Sequence, residues 1–109
     1  MESKNISNIN FTLSSHSGHF RKVIFRDSEM VSSITQIAYT ELEEGEIVAG
    51  HSHNSMEEVF LVLDGECEFS LNGVLHILTK GSVIKISPKT MHSLRAISNT
   101  RLYYFGVAT

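Results

Sequence analysis

The sequence predicts an all-β domain, either a small sandwich or a barrel. Short runs rich in β-branched and aromatic residues recur from Ser33 onward. Turn residues separate these runs at regular intervals, and no stretch has the spacing of apolar residues that is typical of a helix. A length of 109 residues fits one domain with one core.

Residues 1–32 are predicted to form an N-terminal arm that belongs to the same fold. They are polar and rich in Asn and Ser, and KVIF at 22–25 is the best candidate strand. Chain termini are often frayed, so a loose tail is an equal alternative. His16 and His19 lie in this polar arm, and we expect both side chains to be solvated.

Residues 33–109 are predicted to form the barrel. The run SSITQIAYTEL predicts a strand that ends in a loop at Gly45. The run EEVFLVLDG is apolar on both faces: Phe60 and Val62 share one face, and residues 59, 61 and 63 share the other. Such a strand is covered on both faces. One cover is the barrel interior, and the other is a second sheet, the arm or another subunit.

The pair Asn72-Gly73 is the strongest local signal, because Asn-Gly between two β-runs favours a two-residue hairpin turn. This hairpin predicts that Leu71 pairs with Val74, Phe69 with His76, and Cys67 with Leu78. His76 would then share a face with Phe69, where we expect it to pack or to line the interior. We interpret Cys67 as a small core residue.

The remaining strands follow from turn residues. Lys80-Gly81 turns into SVIKIS, Pro88 marks a loop before MHSLRAI, and RLYYFGV forms the last strand. Either tyrosine of that strand can face inward. The residues that line a pocket are therefore left open among Tyr39, Tyr103, Tyr104, Gln36 and Met56.

Composition excludes several classes of function. Nine basic and 12 acidic residues give a net charge of −3, which provides no basic face for nucleic acid. No apolar stretch reaches the length of a membrane span, and the first residues lack the pattern of a signal peptide. Cys67 is the single cysteine, so an intrachain disulfide is excluded and a reducing, cytoplasmic location is expected.

The run GEIVAGHSHNSMEEVFLVLDG contains the groups that can bind a metal. His51 and His53 lie one residue apart, so on an extended segment they point the same way. Glu58 has the same phase as Phe60 and Val62, whereas Glu57 points away and is expected to be a solvated loop charge. Imidazole and carboxylate groups are ligands of divalent first-row metals. His92 follows later and can complete a set of four.

This run resembles the first motif of the cupin family, in which a glycine, five residues, His-x-His, a spacer, Glu, six residues and a glycine recur. Gly45 and Gly65 match the two glycines. A second family motif is matched by Gly81, Pro88 and His92. It is degraded, because Ser82 stands at its acidic position and Lys89 at its second glycine. The resemblance covers about residues 33–107 and sharpens the predicted fold to a jelly-roll β-barrel.

The resemblance implies one divalent metal ion, of Fe, Mn, Ni, Cu or Zn, held by His51, His53, Glu58 and His92. It implies a metal-dependent enzyme acting on a small organic acid, sugar or related ligand, of the dioxygenase, decarboxylase or isomerase type. A non-catalytic module that binds a small molecule is the alternative, and whether there is turnover stays open. A metal that only stabilises the barrel ranks last, because a chain of this length can fold on its own core.

Two further expectations concern partners and the pocket. The apolar outer face at residues 59, 61 and 63 and the resemblance both indicate a homodimer. We expect apolar pocket walls with Phe60 and Val62, which favour a small, partly apolar ligand with oxygen donors. Lys89 either lies near the mouth, where it attracts an anion, or points into solvent, as most lysines do.

Overall fold

The computed structural model describes residues 1–15 and 17–109, so His16 lies outside the described residues. The described chain is built from β-strands and two short 3₁₀ turns, Ile6–Asn8 and Asp27–Glu29, and contains no α-helix. The strands are β1 (Thr12–Leu13), β2 (Phe20–Arg26), β3 (Ile34–Leu42), β4 (Ile47–His51), β5 (Met56–Asp64), β6 (Glu66–Leu71), β7 (Val74–Thr79), β8 (Val83–Ile86), β9 (His92–Ala96) and β10 (Thr100–Ala108). The all-β prediction is confirmed. None of the helical segments in the described chain is long and apolar enough to cross a membrane.

The strands form two antiparallel sheets. The larger has the order β1-β2-β3-β10-β5-β8, and the smaller has the order β4-β9-β6-β7. Neighbours in the sheets are mostly distant in sequence, as β10 between β3 and β5 shows. This is the jelly-roll arrangement.

The core lies between the inward faces of the two sheets. The larger sheet contributes alternate residues of β3, β5 and β10, and the smaller sheet contributes alternate residues of β4, β6 and β9. Phe60 of the larger sheet meets Phe69 of the smaller edge to face, with ring centroids 5.1 Å apart. Such aromatic contacts add to the stabilisation that comes from burial of apolar surface.

The predicted phase of β5 is confirmed. Glu58, Phe60 and Val62 are buried, and residues 59, 61 and 63 are half-buried on the outward face. Glu57 also points outward, 3.7 Å from the Lys85 ammonium. It belongs to β5 rather than to a loop, so the expectation of a loop charge is wrong in that detail.

The hairpin between β6 and β7 has the predicted register, with Leu71 opposite Val74 and Phe69 opposite His76. Asn72 (φ 48°) and Gly73 (φ 82°) both adopt the left-handed conformation of a type I′ turn. The expectation that His76 packs or lines the interior is wrong, because its side chain is exposed. β7 is the edge strand of its sheet, and all its residues except Leu78 are exposed.

Gly65 shows why a glycine is needed between β5 and β6. Its φ is +86°, and a Cβ at this position would overlap the backbone of Asn99 and Thr100. A residue with a side chain would therefore be both strained and blocked.

The arm joins the larger sheet through β2, which pairs with β3. The Lys4 ammonium donates to the Ile24 carbonyl at 2.8 Å and lies over the Phe25 ring. The Thr40 hydroxyl donates to the Phe20 carbonyl at 2.8 Å. The Thr40 contact fixes the start of β2 against β3, and the two Lys4 contacts hold Lys4 against the end of β2.

Candidate metal centre

Four side chains from three strands and one loop meet inside the barrel. His51 ends β4, His53 follows it in a loop, Glu58 lies in β5 and His92 begins β9. Their potential ligand atoms all lie within 4.8 Å of one another. We call this set, His51, His53, Glu58 and His92, the histidine–glutamate group.

Strand pairing brings the histidines together. His51 is the partner of His92 across β4 and β9, and the two rings are 4.3 Å apart between centroids. The loop that carries His53 is tied to the loop before β9, because the Lys89 amide donates to the His53 carbonyl. The hairpin turn also holds this loop, because the Met91 amide donates to Asn72 Oδ1 at 2.9 Å.

The orientation of two rings is set by backbone carbonyls. His51 Nδ1 lies 2.9 Å from the Ala49 carbonyl oxygen, and His92 Nδ1 lies 2.9 Å from the Thr90 carbonyl oxygen. A carbonyl only accepts, so in the neutral rings Nδ1 carries the hydrogen and Nε2 keeps its lone pair. Partners of this kind on the remote ring nitrogen are typical of histidines that bind metals.

Glu58 is the acidic centre of the group. Its side chain is buried, and Oε1 lies 3.1 Å from His53 Nε2 and 3.0 Å from His92 Nε2. Neither Glu58 Oε1 nor His92 Nε2 has an aligned hydrogen bond, although both atoms are buried. Buried polar atoms without such partners lower the stability of a fold. Here the two atoms lie 3.0 Å apart, at the centre of the histidine–glutamate group.

The carboxylate and the imidazoles shift each other's titration. Burial opposes the charged form of Glu58, but His92 and His53 outweigh it and lower the Glu58 pKa. Burial alone would lower the pKa of His92, whereas the neighbouring Glu58 carboxylate raises it above its ordinary value. In the metal-free protein each group therefore favours the charged form of the other.

The donor set fits a divalent metal. Two ligands on opposite sides of a zinc-like ion would be about 4.0–4.4 Å apart, given bonds of about 2.0–2.2 Å. The observed spread of up to 4.8 Å is within the reach of small side-chain movements. A cation would also provide a partner for the buried oxygen of Glu58.

The group lies in the wall of a cavity of about 230 Å³. Apolar side chains of both sheets line much of it: Val48, Met56, Phe60, Phe69, Leu94 and Leu102. Drug-sized ligands usually occupy pockets of about 300–1,000 Å³. This cavity therefore suits a smaller molecule.

The structure settles which of the open candidates line the cavity. Tyr104, Gln36 and Met56 do so, whereas Tyr39 and Tyr103 lie on the outward face of the larger sheet, with ring centroids 5.3 Å apart. Phe60 lines the cavity as expected, but the expectation for Val62 is wrong, because Val62 is buried in the core and does not line the cavity. Tyr104 faces inward because it pairs with Phe60, and burial raises the pKa of its hydroxyl to about 12.

The expectation of a solvated His19 is wrong. Its side chain is half-buried and lines the cavity, with Nε2 3.4 Å from the Tyr104 hydroxyl and Nδ1 in contact with the Ser17 hydroxyl. Arg21 lines the same region. No spacing rule in the sequence marks these two residues, and only the pairing of β2 with β3 brings them to the cavity.

Lys89 is exposed and lies outside the cavity lining, so the solvent-facing alternative is the observed one. Its φ of +65° is in the left-handed region that favours glycine. Glycine is the usual residue here in the motif that the sequence resembles, and Lys89 adopts a φ that glycine adopts without strain.

Comparison with known proteins agrees with this architecture. The family model described as "Cupin domain" matches residues 38–107. No curated protein matches the chain.

Similar solved structures include a predicted oxalate decarboxylase from Thermotoga maritima, with a TM-score of 0.86 and 21% identity over 99% of this chain and 100% of that one. The ectoine synthase from P. lautus has a TM-score of 0.82 and 17% identity over 99% and 78% of the two chains. The Cnp3 cupin domain from Schizosaccharomyces pombe has a TM-score of 0.81 and 16% identity over 98% and 74%. At these identities the likeness shows the fold alone. The family model matches well over half of the chain, and the chain belongs to the cupin family.

Proposed function

We propose that this cupin is a metal-dependent enzyme that acts on a small organic acid, sugar or related oxygen-donor ligand, by a reaction of the dioxygenase, decarboxylase or isomerase type. The observation that carries the proposal is the histidine–glutamate group in the wall of a small cavity with apolar sides. His51, His53, Glu58 and His92 would hold one divalent ion of Fe, Mn, Ni, Cu or Zn. Nitrogen and oxygen donors accept all five, so ligand type does not choose among them.

When bound, such an ion supplies a Lewis acid that polarises a carbonyl or enolate oxygen. The chain supplies orientation and surroundings. The Ala49 and Thr90 carbonyls turn the His51 and His92 rings so that Nε2 faces the group. The stacked rings of Phe60 and Tyr104, 5.2 Å apart, form an apolar wall beside it, and such a wall strengthens electrostatic interactions with a ligand.

Glu58 is the candidate for proton transfer. One oxygen faces His53 and His92 at 3.0–3.1 Å, and the neighbouring imidazoles lower its pKa. It is therefore ionised at neutral pH and can accept a proton only from a ligand acidified by its surroundings.

The test is metal analysis of the protein purified from its native host, followed by aerobic and anaerobic assays with chelating acids and sugars. We expect about one ion per chain and turnover of at least one class of compound. A protein that binds ligand without turnover is the non-catalytic module instead. A protein that retains metal equally well in the His53→Ala/His92→Ala variant would contradict the assigned site.

We also propose that the chain forms a homodimer through the outward face of the larger sheet. Residues 59, 61 and 63 of β5 are half-buried there, and Val83, the partner of Leu61 on β8, is 60% exposed. A second copy would cover this apolar strip. Sedimentation equilibrium at micromolar concentration tests it, and a monomer would contradict it.

A further inference from the structure

The cavity has a second polar region that the family motifs do not include. It is formed by the turn before β2, by β2 itself and by the inward tyrosine of β10, and it consists of Ser17, His19, Arg21 and Tyr104. The four residues line the same cavity as the histidine–glutamate group. We call this set the arm subsite.

The turn that carries His19 is held by backbone bonds. The Ser14 amide donates to the His19 carbonyl at 2.8 Å, and the Gly18 amide donates to the Ser14 carbonyl at 2.9 Å. Gly18 has a φ of +73°, which closes the turn. Ser14 is buried, and these two bonds tie it to His19 and Gly18, so the His19 ring lies at the wall of the cavity.

His19 and Tyr104 form a polar pair that faces the ligand space. Burial and the nearby Arg21 lower the pKa of His19, so the ring is neutral at pH 7 and offers one donor and one acceptor. Ser17 contacts Nδ1, and Nε2 lies 3.4 Å from the Tyr104 hydroxyl. That distance is longer than a good hydrogen bond between a hydroxyl and a nitrogen, and Arg21 also neighbours the Tyr104 hydroxyl. A ligand oxygen that replaces the long His19–Tyr104 contact can therefore hydrogen-bond to both side chains.

Arg21 adds a positive charge to this region. One guanidinium nitrogen donates to the Thr12 carbonyl and hydroxyl, both at 3.1 Å. An arginine has five N–H donors in a planar fork, so donors remain for an anion. Planar donors of this kind match the geometry of a carboxylate.

The arm subsite lies within reach of a small ligand bound at the histidine–glutamate group. On β10, Tyr104 pairs with Phe60 and Gly106 pairs with Glu58. Tyr104 is therefore the diagonal neighbour of Glu58, at a spacing of about 7–8 Å. Both regions therefore face the same cavity of about 230 Å³, and this small volume limits a ligand that contacts both regions to a few carbon atoms.

We propose that His19, Arg21 and Tyr104 bind the second carboxylate of a small hydroxy-dicarboxylic acid whose hydroxyl and first carboxylate bind at the metal. This inference rests on the proposed metal function and names its ligand class. Arg21 pairs with the carboxylate, and His19 and Tyr104 hydrogen-bond to it. The Phe60 ring lies against the carbon chain between the two regions.

The experiment uses the full chain loaded with one equivalent of Zn²⁺, titrated calorimetrically with malate and with lactate, which lacks the second carboxylate. We expect wild type to bind malate at least about tenfold more tightly than lactate, as a charge-assisted contact implies. Arg21→Gln should remove this preference. Tyr104→Phe, which keeps the ring on Phe60, and His19→Gln should each weaken malate binding about three- to tenfold.

Matched controls lie elsewhere on the chain. Tyr103→Phe changes the neighbouring tyrosine on the outward face, and His76→Gln changes an exposed histidine of β7. Neither should alter malate binding, and no variant of either set should alter Zn²⁺ affinity. Thermal unfolding of each variant verifies that it is folded.

The outcomes separate the two proposals. The arm subsite is wrong if wild type binds Zn²⁺ through His53 and His92 but does not prefer malate over lactate. It is also wrong if the preference for malate survives Arg21→Gln and Tyr104→Phe. In both cases the proposed metal centre is retained. If Zn²⁺ binding itself does not depend on His53 and His92, the metal function fails, and the ligand class fails with it.

Discussion

The two polar regions of the cavity are held in different ways. Glu58 lies in β5, which has a partner on each side, and His92 begins β9, which lies between β4 and β6. In the arm subsite, Tyr104 lies on the central strand β10, whereas the other three residues lie in β2 or in the turn before it, which two backbone bonds close. A site on central strands is rigid, whereas a site on a terminal segment depends on how well that segment docks.

This difference implies that the two regions have separate roles. The histidine–glutamate group should bind metal whether or not the arm subsite is intact. The arm subsite should affect only which ligand binds beside the metal. Variants in each region test whether the two regions are independent.

The largest effect is expected from removing two members of the histidine–glutamate group. His53→Ala/His92→Ala should weaken Zn²⁺ binding by at least about a thousandfold, or more than about 4 kcal/mol, because loss of even an outer partner of a ligand costs about 10–100-fold. Competition with a chromogenic chelator measures the affinity. His19→Ala is the matched control on the arm side, and an equal loss there would show that the two regions are not independent.

The next largest effects are expected at two glycines, Gly65 in the turn between β5 and β6 of the barrel and Gly18 in the turn of the arm. Gly65→Ala should lower the free energy of unfolding by about 3 kcal/mol or more, because it adds overlap with Asn99 and Thr100 to backbone strain. Gly18→Ala meets no atom within 4 Å and carries only the strain of its φ, so we expect about 1–2 kcal/mol. Urea unfolding of the metal-free protein measures both, and a Gly18 loss as large as that of Gly65 would contradict the view of the arm as the weaker region.

The titration of the metal-free group gives a pH-dependent effect. The raised pKa of His92 makes its contribution to stability complete below the unfolded value of about 6.5, and this contribution is lost as pH rises through the folded pKa. The lowered pKa of Glu58 makes its contribution present above its unfolded value and lost as pH falls through the folded pKa. The stability that this pair contributes is therefore greatest between the unfolded pKa of Glu58 and the unfolded pKa of His92.

Thermal unfolding of metal-free protein at about pH 6 and about pH 8 measures this contribution. The melting temperature of wild type should exceed that of Glu58→Gln by more at the lower pH, because the variant lacks the carboxylate that holds the His92 proton. An equal difference at both pH values would show that the pair is not ionised in the fold. Glu57→Gln, on the outward face of β5, is the matched control.

The smallest effect is a gain in stability at Lys89. Lys89→Gly should raise the free energy of unfolding by up to about 1 kcal/mol, because glycine adopts the φ of +65° without strain. Lys85→Gly, within β8, should lower it instead. Malate affinity should not change in the Lys89 variant, and a weaker affinity would show that the lysine contributes to the ligand site after all.

Local chemistry in the sequence predicted the parts of the fold that depend on near neighbours. The turn Asn72-Gly73 fixed the register of its hairpin, and the alternation around Glu58 fixed the inward face of β5. The spacing of His51, His53 and Glu58, together with the position of His92, predicted the group that the strands bring together.

Features that depend on long-range pairing were not predictable. The two tyrosines of RLYYFGV are equivalent in local pattern, and only the pairing of Tyr104 with Phe60 turns that residue inward. His76 has the inward phase but lies on an edge strand, where the opposite sheet does not cover it. His19 lies in a polar segment whose pattern is that of a solvated arm, and its place in the cavity depends on where β2 docks.

The most direct test of the account is anomalous diffraction from a crystal of the protein grown with one equivalent of Zn²⁺. We expect a single strong peak inside the barrel, about 2.0–2.2 Å from Nε2 of the three histidines and from a carboxylate oxygen of Glu58. A peak bound instead by exposed side chains, or a group that stays metal-free while the chain is saturated, would contradict the central claim that these four residues form the metal centre.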